Sequence, residues 1–387
     1  MEKVKLGDVC KVQGGYAFKS KEFQKDSIPI IRIGNIQDNE VEIDYNVCFT
    51  KEFLNKHPEF EIKYGDILIA MSGATVGKIG KYQNDTKALL NQRVGNFIVT
   101  EKLEKRYLYF LLQSPLFEKF ILNNAFGCAQ PNISSKQIEE FEFYNYDNVE
   151  QIEIANQLDK VQEIIDFRKK QIQELDELIK SQFVEMFGDV GKNDRNWKYT
   201  TLGKECFLNP KKSELKNMNE NFEVSFVAMP SVSENGNIDT NIIKKYDDVK
   251  KGFTYFAEND VLFAKITPCM ENGKGAVAIG LKNKIGFGST EFHVLRPKEN
   301  INSVWLYTLT AMKSFRIEAE RKMTGSAGQK RVPISFFETY NLGLPPIKLQ
   351  NQFADIVKQI DKQKFEIQKS LEETQKLQES LMNKYFG

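Results

Sequence analysis

Histidine is scarce in this sequence and cysteine never occurs in a close pair. The two histidines, His57 and His293, lie far apart and outside any H-E-x-x-H pattern. The five cysteines are odd in number, scattered and never spaced as C-x-x-C. Zinc sites need clusters of these residues, whereas scattered cysteines are typical of reduced thiols. We therefore expect no metal site and only structural cysteines.

Long apolar runs and an excess of charge are also missing. No run approaches the ~18 residues of a membrane span, and the first residues, MEKVKLGDV, carry charges where a signal peptide needs an apolar core. We expect a soluble, cytoplasmic protein with no membrane partner. Because the formal net charge is only +1, any nucleic-acid binding must come from local basic patches rather than bulk attraction.

Recognisable catalytic motifs are missing as well. GATVGKIG, Gly73 to Gly80, has three residues between its first glycines and Ile79 after the lysine, whereas a P-loop needs four residues and a hydroxyl. No G-x-S-x-G elbow occurs, and Leu344-Pro345-Pro346-Ile347 is not the Asn/Asp-Pro-Pro-aromatic loop of amino-methyltransferases. We expect these glycines to form tight turns, from which Lys78 and Lys81 can approach a phosphate backbone.

The strongest positive feature is a long segment that occurs twice. Gln151 to Gly188 aligns without a gap with Gln350 to Gly387, and neither copy contains Gly or Pro before its closing glycine. Apolar residues recur as in a coiled-coil seam. They are Ile154, Leu158, Val161, Ile165, Ile172, Leu175 and Ile179 in the first copy, and Phe353, Val357, Ile360, Ile367 and Leu371 in the second. We predict two paired helices, each about 57 Å long.

The apolar seam is interrupted at several positions. The connectivity of the chain predicts the relative direction of the two helices. Arg168, Lys364 and Thr374 occupy seam positions, and Leu377 lies off the register. Only a short polar stretch, 189–195, separates the first helix from the next globular segment, and the second helix leaves that same segment. A parallel pair would need a long return excursion, so we predict an antiparallel pair.

The two globular segments repeat the order of their elements with diverged sequence. LGDVCK in the first segment corresponds to LGKECF in the second, GDILIAMS corresponds to NDVLFAKI, and GCAQPNIS corresponds to GSAGQKRVPIS. Each segment mixes β-rich runs with one helical stretch, and the stretch Glu104 to Ala125 should bend or restart at Pro115. This arrangement is expected if the two segments do similar work on different targets.

The predicted fold class is therefore α+β, with two similar globular domains at opposite ends of a long antiparallel two-helix coiled coil and an internal pseudo-two-fold repeat. The predicted boundaries are 1–148 for the first globular domain, 149–189 for the central helix, 190–346 for the second globular domain and 347–387 for the C-terminal helix.

Amide, hydroxyl and basic side chains recur on the predicted loops. Arg and Lys suit guanine or phosphate, and Asn and Gln suit adenine. The candidate DNA-binding residues are Arg32, Asn35, Ser72, Lys78, Lys81, Asn91, Gln92, Arg93, Gln130 and Asn132 in the first domain, and Lys265, Asn272, Lys274, Gln329, Lys330 and Arg331 in the second. Taken singly, such a residue is more often a solvated loop residue or a turn former.

Together these features resemble the DNA-specificity (S) subunits of type I restriction-modification enzymes, over nearly the whole chain. The resemblance rests on the twofold globule-then-helix layout and on three groups of motifs. These are GDILIAMSGATVGKIG, then NDVLFAKITPCMENGKGA with GSTEFHVLRPK, and LPPIKLQNQFADIVKQID, which is similar to that family's PPL-x-x-Q entry to its conserved region. The first helix departs from the pattern because it follows EFYNYDNVEQ without Pro-Pro.

The resemblance implies that each globular domain is a target recognition domain that reads one half of a bipartite site in double-stranded DNA. It also implies that the helices form the spacer and bind two methyltransferase (M) subunits. Adenine methylation and ATP-dependent cleavage would belong to the M subunits and to translocating nuclease (R) subunits. This chain would then be no enzyme and would hold no cofactor, since S-adenosylmethionine, ATP and Mg would belong to the partners.

Two alternatives stay open at this point. One is a coiled-coil protein-interaction adaptor without DNA specificity. The other is a stand-alone DNA methyltransferase or nuclease with built-in recognition domains, which would need a cofactor loop or metal-binding carboxylates that the sequence does not display.

Overall fold

The computed structural model describes residues 2–37, 39–125, 131–215, 219, 221–326 and 328–387. The chain forms two compact units. The first unit comprises residues 1–167 and 370–387, and the second comprises residues 168–369. Both units contain helices and sheets, so the predicted mixed fold class is confirmed.

Most of the helices are short, and two are long. They are α1 (Leu6–Val9), α2 (Lys51–Lys56), α3 (Lys105–Leu111), α4 (Pro115–Ala125), α5 (Ser135–Glu139), α6 (Asn148–Phe187), α7 (Leu202–Glu205), α8 (Tyr246–Val249), α9 (Ser303–Ala311), α10 (Lys313–Arg321), α11 (Ile334–Thr339) and α12 (Ile347–Phe386). The predicted restart at Pro115 is confirmed, because α4 begins there. The two long helices, α6 and α12, each contribute one part to each unit.

The strands are short throughout. In the first unit they are β1 (Glu2–Lys5), β2 (Cys10–Gly14), β3 (Ile28–Ile31), β4 (Ile36–Gln37), β5 (Asn39–Val41), β6 (Cys48–Phe49), β7 (Glu61–Ile62), β8 (Ile67–Ala70), β9 (Ile79–Lys81), β10 (Ala88–Leu90), β11 (Val94–Val99) and β12 (Glu142–Asn145). In the second unit they are β13 (Lys198–Thr201), β14 (Cys206–Leu208), β15 (Glu223–Val227), β16 (Ile243–Lys245), β17 (Thr254–Ala257), β18 (Val261–Ala264), β19 (Gly275–Val277), β20 (Ile285–Gly288), β21 (Phe292–Pro297) and β22 (Asn341–Leu344).

The two units share one sheet topology. The first unit has sheets of order β1-β12, β6-β3-β10-β7 and β2-β11-β8-β9-β5-β4, and the second has β13-β22, β16-β15-β20-β17 and β14-β21-β18-β19. The equivalent sheets β6-β3-β10-β7 and β16-β15-β20-β17 each contain one parallel pair, β3 with β10 and β15 with β20. The predicted repeat of elements is confirmed, and the first unit differs by the added β4–β5 hairpin.

Within each unit the two long helices run antiparallel. In the first unit the Gln378 amide lies 2.7 Å from Gln162, and the Tyr385 hydroxyl lies 2.8 Å from Gln157. In the second unit the Lys364 ammonium lies 2.5 Å from the Asp176 carboxylate. In both units, then, a residue of one helix's first half meets a residue of the other's second half.

The candidate seam residues are buried to different extents. Ile154, Leu158, Val161, Ile165, Phe353, Val357, Ile360 and Leu371 are buried, whereas Ile172, Leu175, Ile179 and Ile367 are half-buried. Lys364 occupies a seam position because its ammonium has a carboxylate partner there, and Leu377 is exposed. A polar residue in a seam is tolerated when its charge is paired.

Two cysteines at equivalent positions show how closely the units repeat. Cys10 follows α1, Cys206 follows the equivalent short helix α7, and both are buried. Burial raises the pKa of each thiol to about 12. These thiols therefore stay protonated and unreactive near neutral pH, as expected for structural cysteines.

Near its N-terminus each long helix carries one buried glutamine that binds the globular part of the unit in which that end lies. Gln350 accepts a hydrogen bond from the Asn302 backbone N–H at 2.9 Å and donates to the carbonyls of Asn300 and Pro345 at 3.1 and 2.8 Å. Gln151, its counterpart in the repeat, accepts from the Glu104 N–H at 2.8 Å in the first unit. The glutamine of the PPL-x-x-Q pattern is therefore a structural clamp.

Replacing Gln350 by Met is expected to destabilise the second unit by about 1–3 kcal/mol, the cost of leaving a buried polar group without a partner. Both tryptophans, Trp197 and Trp305, lie in that unit. Urea unfolding of the full chain followed by tryptophan fluorescence therefore reports on it. Gln352→Met, at an exposed position of the same helix, is the matched control and should change stability little. Equal unfolding midpoints for the two variants would contradict the stabilising role of Gln350.

Candidate nucleic-acid interface

In the first unit, several candidate residues meet where the parallel strands β3 and β10 end. Arg32 follows β3 and Asn91 follows β10, and the Asn91 N–H donates to the Ile31 carbonyl at 3.3 Å. The side chains of Arg32, Gln92 and Arg93 are exposed, and that of Asn91 is half-buried. Parallel pairing thus places residues from widely separated parts of the chain at one edge of the sheet.

The chain after β8 joins this edge through backbone hydrogen bonds. The Met71 N–H donates to the Arg93 carbonyl, and the Ile133 N–H donates to the Met71 carbonyl, both at 2.9 Å. Ser72 forms an antiparallel bridge with Asn132. We call the backbone of residues 71–73, 93 and 131–133 the first backbone frame. It brings Ser72, Arg93 and Asn132 together.

This edge of the sheet carries exposed basic side chains, and one of them lies near a carboxylate. Arg93 and Lys78 are exposed, and Lys78 lies at the end of β8, where its carbonyl accepts from the Ala70 N–H at 3.0 Å. The Arg32 guanidinium lies 3.7 Å from the Asp44 carboxylate. Ser72 is buried, and its hydroxyl has no hydrogen-bond partner among the described residues. We call Arg32, Ser72, Lys78, Asn91, Gln92, Arg93 and Asn132 the first interface.

Three predicted residues of the first unit are not part of this cluster. Asn35 is buried, and its side-chain oxygen accepts a hydrogen bond from the Arg32 N–H at 2.9 Å, so it closes its own turn. Lys81 pairs with Ile67 at the start of β8, away from the strand end that carries Ser72. Gln130 lies outside the described residues.

The second unit contains the same backbone frame with different side chains. The Lys265 N–H donates to the Glu291 carbonyl, and the Val332 N–H donates to the Lys265 carbonyl, both at 2.9 Å. Ile266 forms an antiparallel bridge with Arg331. We call residues 265–267, 291 and 330–332 the second backbone frame. In it Lys265 stands at the position of Met71, Glu291 at that of Arg93 and Arg331 at that of Asn132.

An ion pair shapes the second frame. The Arg331 guanidinium donates two hydrogen bonds to the Glu291 carboxylate, at 2.9 and 2.8 Å, and these hold the pKa of Glu291 below its usual value. Burial lowers the pKa of the neighbouring Lys265, and the negative charge of Glu291 partly offsets this lowering. The bidentate pair fixes the orientation of both side chains. Arg331 therefore presents a preorganised guanidinium that is already partly neutralised.

Gln329 and Lys330 lie on a hairpin that this frame supports. Thr324 and Arg331 exchange backbone hydrogen bonds at 3.0 and 2.8 Å, and the side chains of Gln329 and Lys330 are exposed. We call Lys265, Glu291, Gln329, Lys330 and Arg331 the second interface. It projects a lysine and an amide toward solvent.

His293 anchors this hairpin from inside the unit. Its Nε2 lies 2.8 Å from the Val332 carbonyl, and its Nδ1 lies 3.2 Å from the Asn209 amide nitrogen. Burial lowers the pKa of His293 to about 4. The ring is therefore neutral near pH 7, with Nε2 donating to the carbonyl and Nδ1 accepting from Asn209. His293 therefore has a structural role in this unit.

The remaining candidates, Asn272 and Lys274, lie on the loop between β18 and β19. Lys274 is equivalent to Lys78, because its carbonyl accepts from the Ala264 N–H at 3.1 Å as that of Lys78 does from Ala70. Arg316 is buried beneath this loop and donates to the carbonyls of Met270 and Gly273, both at 3.1 Å. Asn272 is exposed, and Lys274 is half-buried.

Sequence reasoning missed Glu291 and Arg316. Neither belongs to the basic and amide side chains of the loops, because Glu291 is a carboxylate and Arg316 lies inside α10. Aligning NQRVGNF with STEFHVL would have set Glu291 opposite Arg93 and pointed to it. Nothing in the sequence marks Arg316 as the support of a distant loop.

Two further observations bear on chemistry. Among the residues that the structure describes, no group of three or more His, Cys, Asp or Glu side chains is placed to hold a metal ion. Within the same residues, no helix combines the length and apolar character that crossing a membrane requires.

Comparison with known proteins identifies relatives of the chain. The "Type I restriction enzyme EcoAI specificity subunit" of Escherichia coli is 41% identical over 193 residues, which cover 48% of this chain and 32% of that protein. The EcoEI specificity subunit of the same organism is 38% identical over 193 residues, with the same coverage. The chain thus spans about a third of the length of these curated relatives.

A solved structure has the same fold. The S subunit of a type I restriction-modification system from M. genitalium matches 100% of this chain and 96% of its own, with a TM-score of 0.56 and 14% sequence identity. The family model described as "Type I restriction modification DNA specificity domain" matches residues 1–177 and 195–378, and therefore most of both units. Because this match covers most of the chain, the chain belongs to the family of type I restriction-modification DNA specificity domains.

Proposed function

We propose that this chain is the non-catalytic specificity subunit of a type I restriction-modification system. The first interface reads one half of a bipartite site in double-stranded DNA, and the second interface reads the other half. The long helices set the number of unread base pairs and dock two M subunits. Adenine methylation, and ATP-dependent cleavage by R subunits, then take place on these partners in the cytoplasm.

One observation carries the proposal: the same backbone frame occurs twice and presents different side chains. Arg93 and Asn132 of the first frame correspond to Glu291 and Arg331 of the second. Arginine suits guanine, amides suit adenine and carboxylates accept from cytosine. A DNA site with two unlike halves requires two recognition domains that share one architecture and present different side chains.

The cofactors belong with the partners in this proposal. S-adenosylmethionine would be bound by the M subunits, and ATP and Mg would serve the R subunits. The chain's own residues would supply position and sequence readout alone, through the exposed side chains of the two interfaces and the paired helices.

The proposal is tested by co-expressing the chain with candidate M subunits and mapping N6-methyladenine across the host DNA by single-molecule sequencing. A bipartite motif with a fixed gap, present only with this chain, is the expected result. No new methylation despite a stable complex with an M subunit would favour the adaptor. Binding of S-adenosylmethionine by the isolated chain would favour the stand-alone methyltransferase. DNA affinity should also fall steeply with salt, since phosphate contacts release counterions.

Replacing Arg93 by Ala is expected to relax or weaken recognition in one half-site only, at a cost of about 1–3 kcal/mol if the guanidinium reads a base. The methylated motif of the variant reports which positions have become degenerate. Lys102→Ala, which removes an exposed cation of the same unit before α3, is the control and should leave the motif unchanged. A variant motif identical to wild type, or one altered in both half-sites, would contradict the assignment of Arg93 to the first reader.

A further inference from the structure

An exposed tyrosine stands beside the first interface on a platform of aromatic rings. Tyr16 is 41% exposed. Its ring centroid lies 4.8 Å from that of Phe53, 5.0 Å from Phe18, 5.6 Å from Phe60 and 6.1 Å from His57. A rigid, supported aromatic side chain that still faces solvent is well suited to contact a ligand at low entropic cost.

The backbone fixes Tyr16 to the loop that carries Gln92. The Tyr16 N–H donates to the Leu90 carbonyl at 2.8 Å, and the Gln92 N–H donates to the Tyr16 carbonyl at 2.9 Å. Gly15 makes this approach possible, because a Cβ there would lie 2.2 Å from the Leu90 carbonyl oxygen and 2.4 Å from that of Asn91. Tyr16 and the loop from Asn91 to Arg93 therefore form one rigid unit.

The chemistry of this neighbourhood points to an A·T base pair. Gln92 is exposed, so its amide is available to an adenine edge. An A·T pair presents the thymine methyl in the same groove as the adenine N6 and N7, and apolar side chains contact that methyl. The aromatic ring beside Gln92 supplies such an apolar surface.

We propose that Tyr16 is a specificity-determining residue whose ring packs against the methyl group of a thymine in the half-site read by the first interface; this inference rests on the proposed function. The contact is confined to one half-site. In the second unit the residue six positions after Cys206, as Tyr16 is after Cys10, is Lys212, which is not aromatic.

The experiment uses the full chain in complex with its M subunits, after the methylated motif has been mapped and Arg93→Ala has identified the first half-site. Duplexes are made in which each thymine of that half-site is replaced singly by deoxyuridine, which removes only the methyl group. Wild type should lose about three- to fivefold in affinity at one thymine, the factor expected for one buried methyl group. Tyr16→Ala should bind the thymine duplex more weakly and be insensitive to deoxyuridine at that position.

Two control variants separate a base contact from a general effect. Tyr16→Phe keeps the ring and should show the wild-type pattern. Tyr64→Ala removes another exposed tyrosine of the same unit, between β7 and β8, and should also show the wild-type pattern.

Three results would overturn the proposal. They are a Tyr16→Ala variant that binds every duplex as wild type does, one that stays sensitive to deoxyuridine, and a first half-site without thymine. Failure of the proposed function itself would look different, because no bipartite methylated motif would appear for any variant.

Discussion

Removing seven residues from each long helix is expected to change the number of unread base pairs between the half-sites, or to abolish recognition, while leaving the half-site sequences intact. Both α6 and α12 contribute to both units. Seven residues are two turns of a coiled coil, so the seam stays in phase. At about 1.5 Å per residue the deletion removes roughly 10 Å of helix, the rise of about three base pairs.

The segments to delete follow from the contacts between the helices. Residues 166–172 and 368–374 lie midway between the Gln162–Gln378 and Asp176–Lys364 contacts on their respective helices. Deleting only one of these segments is the control, and it should abolish methylation because the contacts on its two sides can no longer form together. Methylation mapping reads the spacing directly. An unchanged spacer in the double deletion would refute the proposed role of the helices.

Replacing Phe353 by Ala is expected to destabilise the second unit by about 3–5 kcal/mol, the usual cost of deleting a large buried aromatic ring. Phe353 is fully buried, and its ring centroid lies 5.5 Å from those of both Phe183 and Phe187. Trp305 packs against the same two rings at 5.6 and 6.0 Å. This cluster joins the two helices to the globular part of the unit, so its loss weakens both attachments.

The measurement is urea unfolding of the full chain followed by tryptophan fluorescence, to which Trp305 contributes from within the cluster. Phe365→Ala is the matched control on the same helix, since Phe365 is 68% exposed, and its effect should stay within about 0.5 kcal/mol. A loss below about 1 kcal/mol for Phe353→Ala would show that the cluster repacks without it.

The long helices could be predicted from the sequence because their pattern is local. Apolar residues recur every three or four positions, and glycine and proline are missing. This pattern predicts both the helix and its buried face without information from the rest of the chain. The burial of the aromatic residues near their ends has no such local signal. Phe183 and Phe187 are buried by Trp305, whose helix lies far away in sequence.

The candidate interface could be predicted only as a set of residue types. Arg32 and Asn91 meet because β3 and β10 pair in parallel, and a pairing between distant segments leaves no local signal. Asn35 closes its own turn, a competing use of short amides that sequence alone does not separate from recognition. Lys78 and Lys81 stand at opposite ends of β8 because a few residues of extended chain cover roughly 10 Å.

The two backbone frames also bear on how such a protein can evolve. The bonds that join Met71 to Arg93 and to Ile133, and Lys265 to Glu291 and to Val332, involve main-chain atoms alone. Any residue other than proline can supply them at its donor positions. Under the proposed function, mutations at Arg93, Asn132, Glu291 or Arg331 would therefore alter what is recognised without dismantling the scaffold, and new sequence preferences would arise by drift at a few positions in either unit.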